Sequence, residues 1–242
     1  MGVAAGPDIV DDTSLELLVD IGSSRSYIGS GTSVKCIITG KTFSPDEGTP
    51  TFNTTNIAYA DFEKSDNPGD NLKSTTTYSG MRQQTLYTRI GWFNIESSDG
   101  NFKPIIGNSV GNNINMGLCI VSRRLHFRQY SNSQSSGTAS GDYGVSGTTQ
   151  IPLNTWTHGA MVVNRVGNNV KFYINGELDA SVNINTMGDS SSDTVLIGGS
   201  DADSYSGARM FDGKIACVMH YNKLLNAAEI FQNYNAFESR FK

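Results

Sequence analysis

Cysteine, histidine and charge are scarce in this chain of 242 residues, and each scarcity excludes a class of function. The three cysteines, Cys36, Cys119 and Cys217, are too few for a disulfide framework, and each sits in an apolar run where a small buried hydrophobe is expected. His126, His158 and His220 fall in separate segments with no cysteine or second histidine at metal spacing, which argues against zinc. Charged residues make up only 17% of the chain and sum to −5, so the overall balance offers no basic face to nucleic acid or to an anionic membrane. No apolar run reaches membrane-spanning length, and no membrane insertion is expected. The N-terminus carries no signal peptide of the basic-then-apolar kind, so folding in a reducing cytoplasm is the expectation. A Walker loop and a Gly-x-Ser-x-Gly elbow are both missing, and nucleotide and serine chemistry go with them.

What is present is strand and turn. Aromatic residues make up 10% and recur in every segment, which marks a packed core rather than a disordered chain. Apolar and polar residues alternate with period two over residues 15–20, 84–95, 124–130, 157–165, 170–174 and 209–221, the pattern of strands with one face buried. Turn formers cluster between them around Pro45, Pro68, Asp99 and Gly111, so connections are short and pairing antiparallel. The Asn175-Gly176 pair predicts a type I′ hairpin and makes a three-stranded meander of residues 157 onward. Residues 131–147 are poor in apolar groups and read as a long exposed loop anchored by Tyr143. One helix is expected near the C-terminus. Asn226 is its N-cap, Glu229 completes a capping box, and Ile230, Tyr234, Phe237 and Phe241 share one face. No linker divides the chain, which gives an all-β antiparallel sandwich over residues 13–242 behind an N-terminal arm, residues 1–12, suited to lying on a neighbour.

Particular residues now point to a family. Trp156, His158, Ala160 and Val163, then residues 170–176, 196–199 and 211–216, resemble the laminin-G-like, concanavalin A-like jelly roll. The ending, Tyr221-Asn222 and residues 227–236, is similar to versions of this domain in structural proteins of tailed bacteriophages, cyanophages among them. Residues 6–10, 15–20 and 26–32 also resemble the opening of those proteins. The resemblance implies a jelly-roll sandwich and a non-enzymatic virion protein, a capsid decoration or particle-surface protein held by the major capsid or tail proteins. The alternative it implies is a glycan-binding adhesin or tail-fibre module that recognises a host-surface glycan. Both admit a homo-oligomer, and the expected location is the virion, assembled in the host cytoplasm. One departure is that Cys217-Val218-Met219-His220 is more apolar than the corresponding strand of the family, implying burial against another chain or the helix.

Retaining glycosidases place two carboxylates about 5 Å apart on one sheet face. In the family that means Glu, Asp and Glu alternating along a strand. Glu177 and Asp179 begin that pattern, but Ser181 ends it, so no catalytic residue is assigned. Asp201 and Asp203, with Ser204, Ser206 and Gly207, cluster oxygen ligands on one loop and are the candidate calcium ligands; no other cofactor is expected. Sugars stack on rings and bond to paired polar groups, which makes Tyr130, Asn132, Asp142, Tyr143 and Tyr205 the candidate glycan-binding residues.

Overall fold

The structure, a computed structural model, describes residues 8–64, 69–81, 84–98, 100–110, 113–131, 141–185, 193–199 and 209–242, with the backbone alone at 110, 113–116, 130–131 and 141–143. In chain order the strands begin with β1 (Leu15–Asp20), β2 (Val34–Lys35), β3 (Thr42–Pro45), β4 (Thr51–Asn53), β5 (Tyr59–Phe62) and β6 (Leu72–Ser74). Next come β7 (Leu86–Ile95), β8 (Lys103–Val110), β9 (Asn113–Val121), β10 (Arg124–Ser131) and β11 (Gly141–Ser146). The last are β12 (Thr157–Asn164), β13 (Asn169–Ile174), β14 (Glu177–Asn183), β15 (Val195–Ile197) and β16 (Gly213–Tyr221), before helix α1 (Ala227–Glu238).

They form two eight-stranded sheets with antiparallel pairing throughout. One runs β14-β13-β12-β7-β16-β5-β4, with β1 also on β16, and the other runs β11-β10-β9-β8-β15-β6-β3-β2. Alternation sets the layers. Tyr87, Phe93 and Ile95 of β7 meet Ile105, Leu118, Leu125 and Phe127 of the second sheet in the main core. The intervening Ile90 and Trp92 point the other way, into a second apolar cluster. Central strands β7 and β16 are therefore buried on both faces, and the molecule has three layers rather than two.

The third layer is α1 together with the segment that precedes β1. A bulge between Ile215 and Cys217 turns Ala216 and Cys217 outward together, and with Met219 and Tyr221 they pack under Val10, Leu15, Leu18, Leu225 and Ile230. The apolar strand singled out in the sequence is thus covered by the chain's own helix and N-terminal segment. Residues 8–10 lie on that helix: Val10 N–H donates to Asn233 Oδ1 at 2.9 Å, Tyr221 Oη donates to the Val10 carbonyl at 2.9 Å, and Gln232 Nε2 donates to the Asp8 carbonyl at 2.9 Å. The capping box is complete. Asn226 Oδ1 accepts from Ala228 and Glu229 N–H, and Glu229 Oε2 accepts from Asn226 N–H, an arrangement that stabilises such helices by about 1 kcal/mol.

Two sequence expectations change. Residues 141–146 are not loop but strand β11, pairing His126–Ser131 with Ser146–Gly141; with so few apolar side chains, only the cross-strand ladder defines them. Strands β8 and β9 also form a long antiparallel pair that the alternation did not mark, because bulges near Ile106 break its period. No described helix is long and apolar enough to cross a membrane.

Candidate functional site: a cleft between the edge strand and the helix

The Asn175-Gly176 turn joins β13 to β14 with both residues left-handed, at φ 50° and 83°, as type I′ geometry requires. The helix docks directly on this turn. A Cβ added at Gly176 would lie 2.8 Å from Phe231 Cδ2 and 3.2 Å from Tyr234 Cδ1, so glycine is needed both for the turn and for the approach of the rings. What results is a cleft of about 460 Å³ between β14 and α1, walled by Thr149, Asn175, Glu177, Leu178, Asp179, Phe231 and Tyr234, with Ile174 at its base.

Its apolar lining is unusually open. Phe231 is 48% exposed and Leu178 57% exposed, although both are large hydrophobic side chains. Tyr234 is fixed from below by stacking on Trp92, with centroids 5.7 Å apart and planes 16° apart, and Phe231 lies 6.1 Å from Tyr234. The Tyr234 hydroxyl donates to Glu238. Burial, that bond and the nearby charges of Glu238 and Glu177 push its pKa up to about 12.

The two carboxylates of β14 have separate roles. Leu178 pairs with Tyr173 and Ala180 with Phe172, which leaves Asp179 as the extra residue of a bulge and breaks the alternation that a same-face carboxylate pair needs. Asp179 accepts from Thr148 N–H at 2.9 Å, Thr148 Oγ1 at 2.8 Å and Thr149 N–H at 2.9 Å. Burial alone would raise its pKa, but the hydrogen bonds from Thr149 and Thr148 outweigh it and hold the carboxyl below its ordinary range. Asp179 is thus a clamp between the two edge strands, while Glu177 stands exposed at the cleft mouth.

The structure places two of the sequence-predicted glycan residues on one face of a strand pair and a third on the other face. Tyr130 and Asp142 are register partners on β10 and β11, with Tyr143 opposite Gln129. The chain leaving β11 then runs through Gly147 into Thr148 and Thr149, so this hairpin leads straight to the cleft wall. Asn132, Tyr205 and the candidate calcium ligands Asp201 and Asp203 lie outside the described residues. Sequence reasoning missed Phe231, which falls off the apolar stripe of α1; an aromatic on the otherwise polar face was the available signal.

The histidines do not converge. His126 bonds Ser146 Oγ at 2.8 Å, His158 is wedged between Trp92 and Tyr234, and His220 meets Arg89 and Gln84. Among the described residues the one grouping of three acidic ligands is Asp61, Glu63 and Glu96, where the Lys214 ammonium already bonds Glu96.

Two packed antiparallel sheets with this strand order define a jelly-roll sandwich of the lectin and glucanase class. The chain belongs to the concanavalin A-like lectin/glucanases superfamily: that family's model, Laminin_G_3, matches residues 68–231. No curated protein matches it in sequence. Among solved structures it is similar to botulinum neurotoxin type C, which depends upon interaction with two ganglioside molecules to enter cells, at TM-score 0.67 and 17% identity over 92% of this chain and 51% of that one. The binding domain of botulinum neurotoxin DC in complex with SialylT gives TM-score 0.64 and 18% identity over 92% and 51%. A Trypanosoma rangeli sialidase gives TM-score 0.59 and 12% identity over 96% and 34%. The chain spans about half the length of the neurotoxin structures, and at these identities the likeness is one of fold.

Proposed function

We propose that this chain is a non-catalytic carbohydrate-binding module that recognises a surface glycan in the cleft between β14 and α1. The observation that carries the reading is the half-exposed ring of Phe231 beside Tyr234, facing the Glu177 carboxylate across a cleft of monosaccharide size. A sugar stacks its C–H face on such a ring and pairs its hydroxyls with a carboxylate, and Trp92 stacking keeps the platform rigid. Glycan recognition named for similar folds supports the same class of ligand.

The test is a glycan array followed by titration calorimetry on the best ligand. Saturable binding that falls at least tenfold in Phe231→Ala and in Glu177→Gln, with thermal stability unchanged, is the expected result. Absence of binding to every glycan, or full binding by both variants, overturns the reading.

A finer reading is a decoration or tail-surface protein on the particle of a tailed bacteriophage, which the residue pattern at both ends of the chain supports. Mass spectrometry of purified particles tests it, and absence from the particle removes it.

A further inference from the structure

A second exposed apolar feature lies apart from the cleft, on the loop between β1 and β2. Ile28 is 79% exposed, more than any other large hydrophobic residue described. Residues 29–33 beside it are glycine, serine and threonine, and a Cβ on Gly29 or Gly31 would meet nothing within 4 Å.

The loop cannot fold back to hide this side chain, because it is held from both ends. Tyr27 is buried against Phe52, with stacked rings 4.5 Å apart, and its hydroxyl donates to the Gly31 carbonyl at 3.0 Å. Ser26 Oγ donates to the Lys35 carbonyl at 2.6 Å, and Lys35 N–H returns a bond to the Ser26 carbonyl at 2.8 Å. The tip is therefore built to present isoleucine to solvent, at a standing cost in apolar hydration.

The chain on either side of it is basic. Between residues 21 and 45 the chain carries Arg25, Lys35 and Lys41 and no aspartate or glutamate, in a protein whose net charge is −5. Lys41 is engaged over the Tyr78 ring and at the Thr77 carbonyl. Arg25 and Lys35 are exposed and make no ion pair among the described residues. Lys35 shares a shallow cleft of about 260 Å³ with Ile28, and Arg25 Nη2 donates to the Ile37 carbonyl at 3.3 Å, beside the 42%-exposed Ile38.

Protection of an edge strand explains a lysine on β2, but it does not explain an exposed isoleucine next to it, which works against such protection. A soluble polyanion matches the cations and offers the isoleucine nothing. A bilayer with anionic headgroups supplies both partners in the observed order, a negative plane with hydrocarbon beneath it. We infer that this rim is a docking surface for an anionic lipid bilayer, with Ile28 entering the boundary between headgroups and acyl chains and with Arg25 and Lys35 against lipid phosphates.

The experiment is co-sedimentation of the full chain with vesicles of phosphatidylcholine alone or mixed with phosphatidylglycerol. Binding to the mixed vesicles about tenfold tighter than to phosphatidylcholine, weakening as salt is raised, is expected. Ile28→Asp and the double variant Arg25→Glu, Lys35→Glu should each remove most of it, and all three positions are exposed, so folding is retained. Equal partition onto both vesicle types overturns the inference, as does binding unaffected by Ile28→Asp. Retention on heparin that survives Ile28→Asp but is lost in the charge-reversed double variant, without vesicle binding, assigns the surface to a polyanion and equally overturns it.

Discussion

Arg89 of β7 reaches across the interior of the sandwich and donates from Nη2 to Oδ1 of Asn108 on β8, joining the two sheets by a polar bridge inside an otherwise apolar core. Its Nε donates to Nδ1 of His220 at 3.2 Å, which places the imidazole proton on Nε2, where it is shared with Gln84 Oε1 at 2.6 Å. Gln84 in turn bonds Glu16, so a chain of hydrogen bonds runs from the core to the surface.

The cost of burying this charge shows in the guanidinium itself, whose pKa burial lowers to about 10. Truncation is nonetheless destructive, because it strands Asn108 and His220 in the core. Arg89→Ala should destabilise the fold by about 3–5 kcal/mol, and Arg89→Met, which refills the volume without the donors, should recover only part. Urea denaturation of the three proteins measures both effects.

Much of this architecture is legible from pattern, for reasons that also explain what is not. The apolar runs of 15–20 and 157–174 mark strands, Asn175-Gly176 favours a tight hairpin, and the Asn226 and Glu229 pair caps a helix locally. Strand β11 escapes because its identity lies in pairing with β10, not in its own polar residues. The cleft escapes for a related reason. Gly176 and Phe231 meet only after the helix folds back onto the turn, and nothing within either segment encodes that contact. Of the residues chosen for sugar binding, Tyr130 and Asp142 pair across β10 and β11 while Tyr143 falls on the other face, a placement decided by cross-strand register and not by residue type.

Acid should loosen the fold through its buried histidines. His158 is fully buried, neither ring nitrogen has a hydrogen-bond partner among the described residues, and burial lowers its pKa to about 3 from 6.5. Below pH 6.5 the unfolded chain takes up a proton that the folded chain refuses, so stability is lost as pH falls from about 6.5 to about 3, at about 1.4 kcal/mol per unit. Burial and the Arg89 charge push His220 well below its ordinary value too, with the same sign. Urea midpoints should therefore drop between pH 7 and pH 5. His158→Phe keeps the ring contacts with Trp92 and Tyr234 and should remove about half of that drop; an unaltered pH profile would count against the assignment.

Gly176→Ala should cost more than the same change at another left-handed glycine. Gly29 has φ 87° and open space around it, whereas Gly176 has φ 83° and Phe231 at 2.8 Å from the added methyl. The backbone penalty, about 1 kcal/mol, is common to both. The remainder, read from the difference between the two melting curves, reports the seating of the helix on the turn, and Gly176→Ala alone should also weaken glycan binding.

The two carboxylates of β14 should separate cleanly by experiment. Asp179 spends its carboxylate on Thr148 and Thr149, so Asp179→Asn turns an amide towards backbone donors and should destabilise by about 1–3 kcal/mol. Because its folded pKa is depressed below the unfolded 3.8, the clamp is fully present above that value and is lost as pH falls through the folded one, an acid sensitivity the asparagine variant should lack. Glu177 is exposed, and Glu177→Gln should leave stability within about 0.5 kcal/mol while weakening the sugar. A retaining glycosidase would need both carboxyls facing one bond, one free as nucleophile and the other as proton donor, and a bulged, triply bonded Asp179 is free for neither part. The wild-type protein should accordingly release no reducing sugar from β-glucan, and release that disappears in Glu177→Gln would show that the cleft cuts glycans as well as holding them.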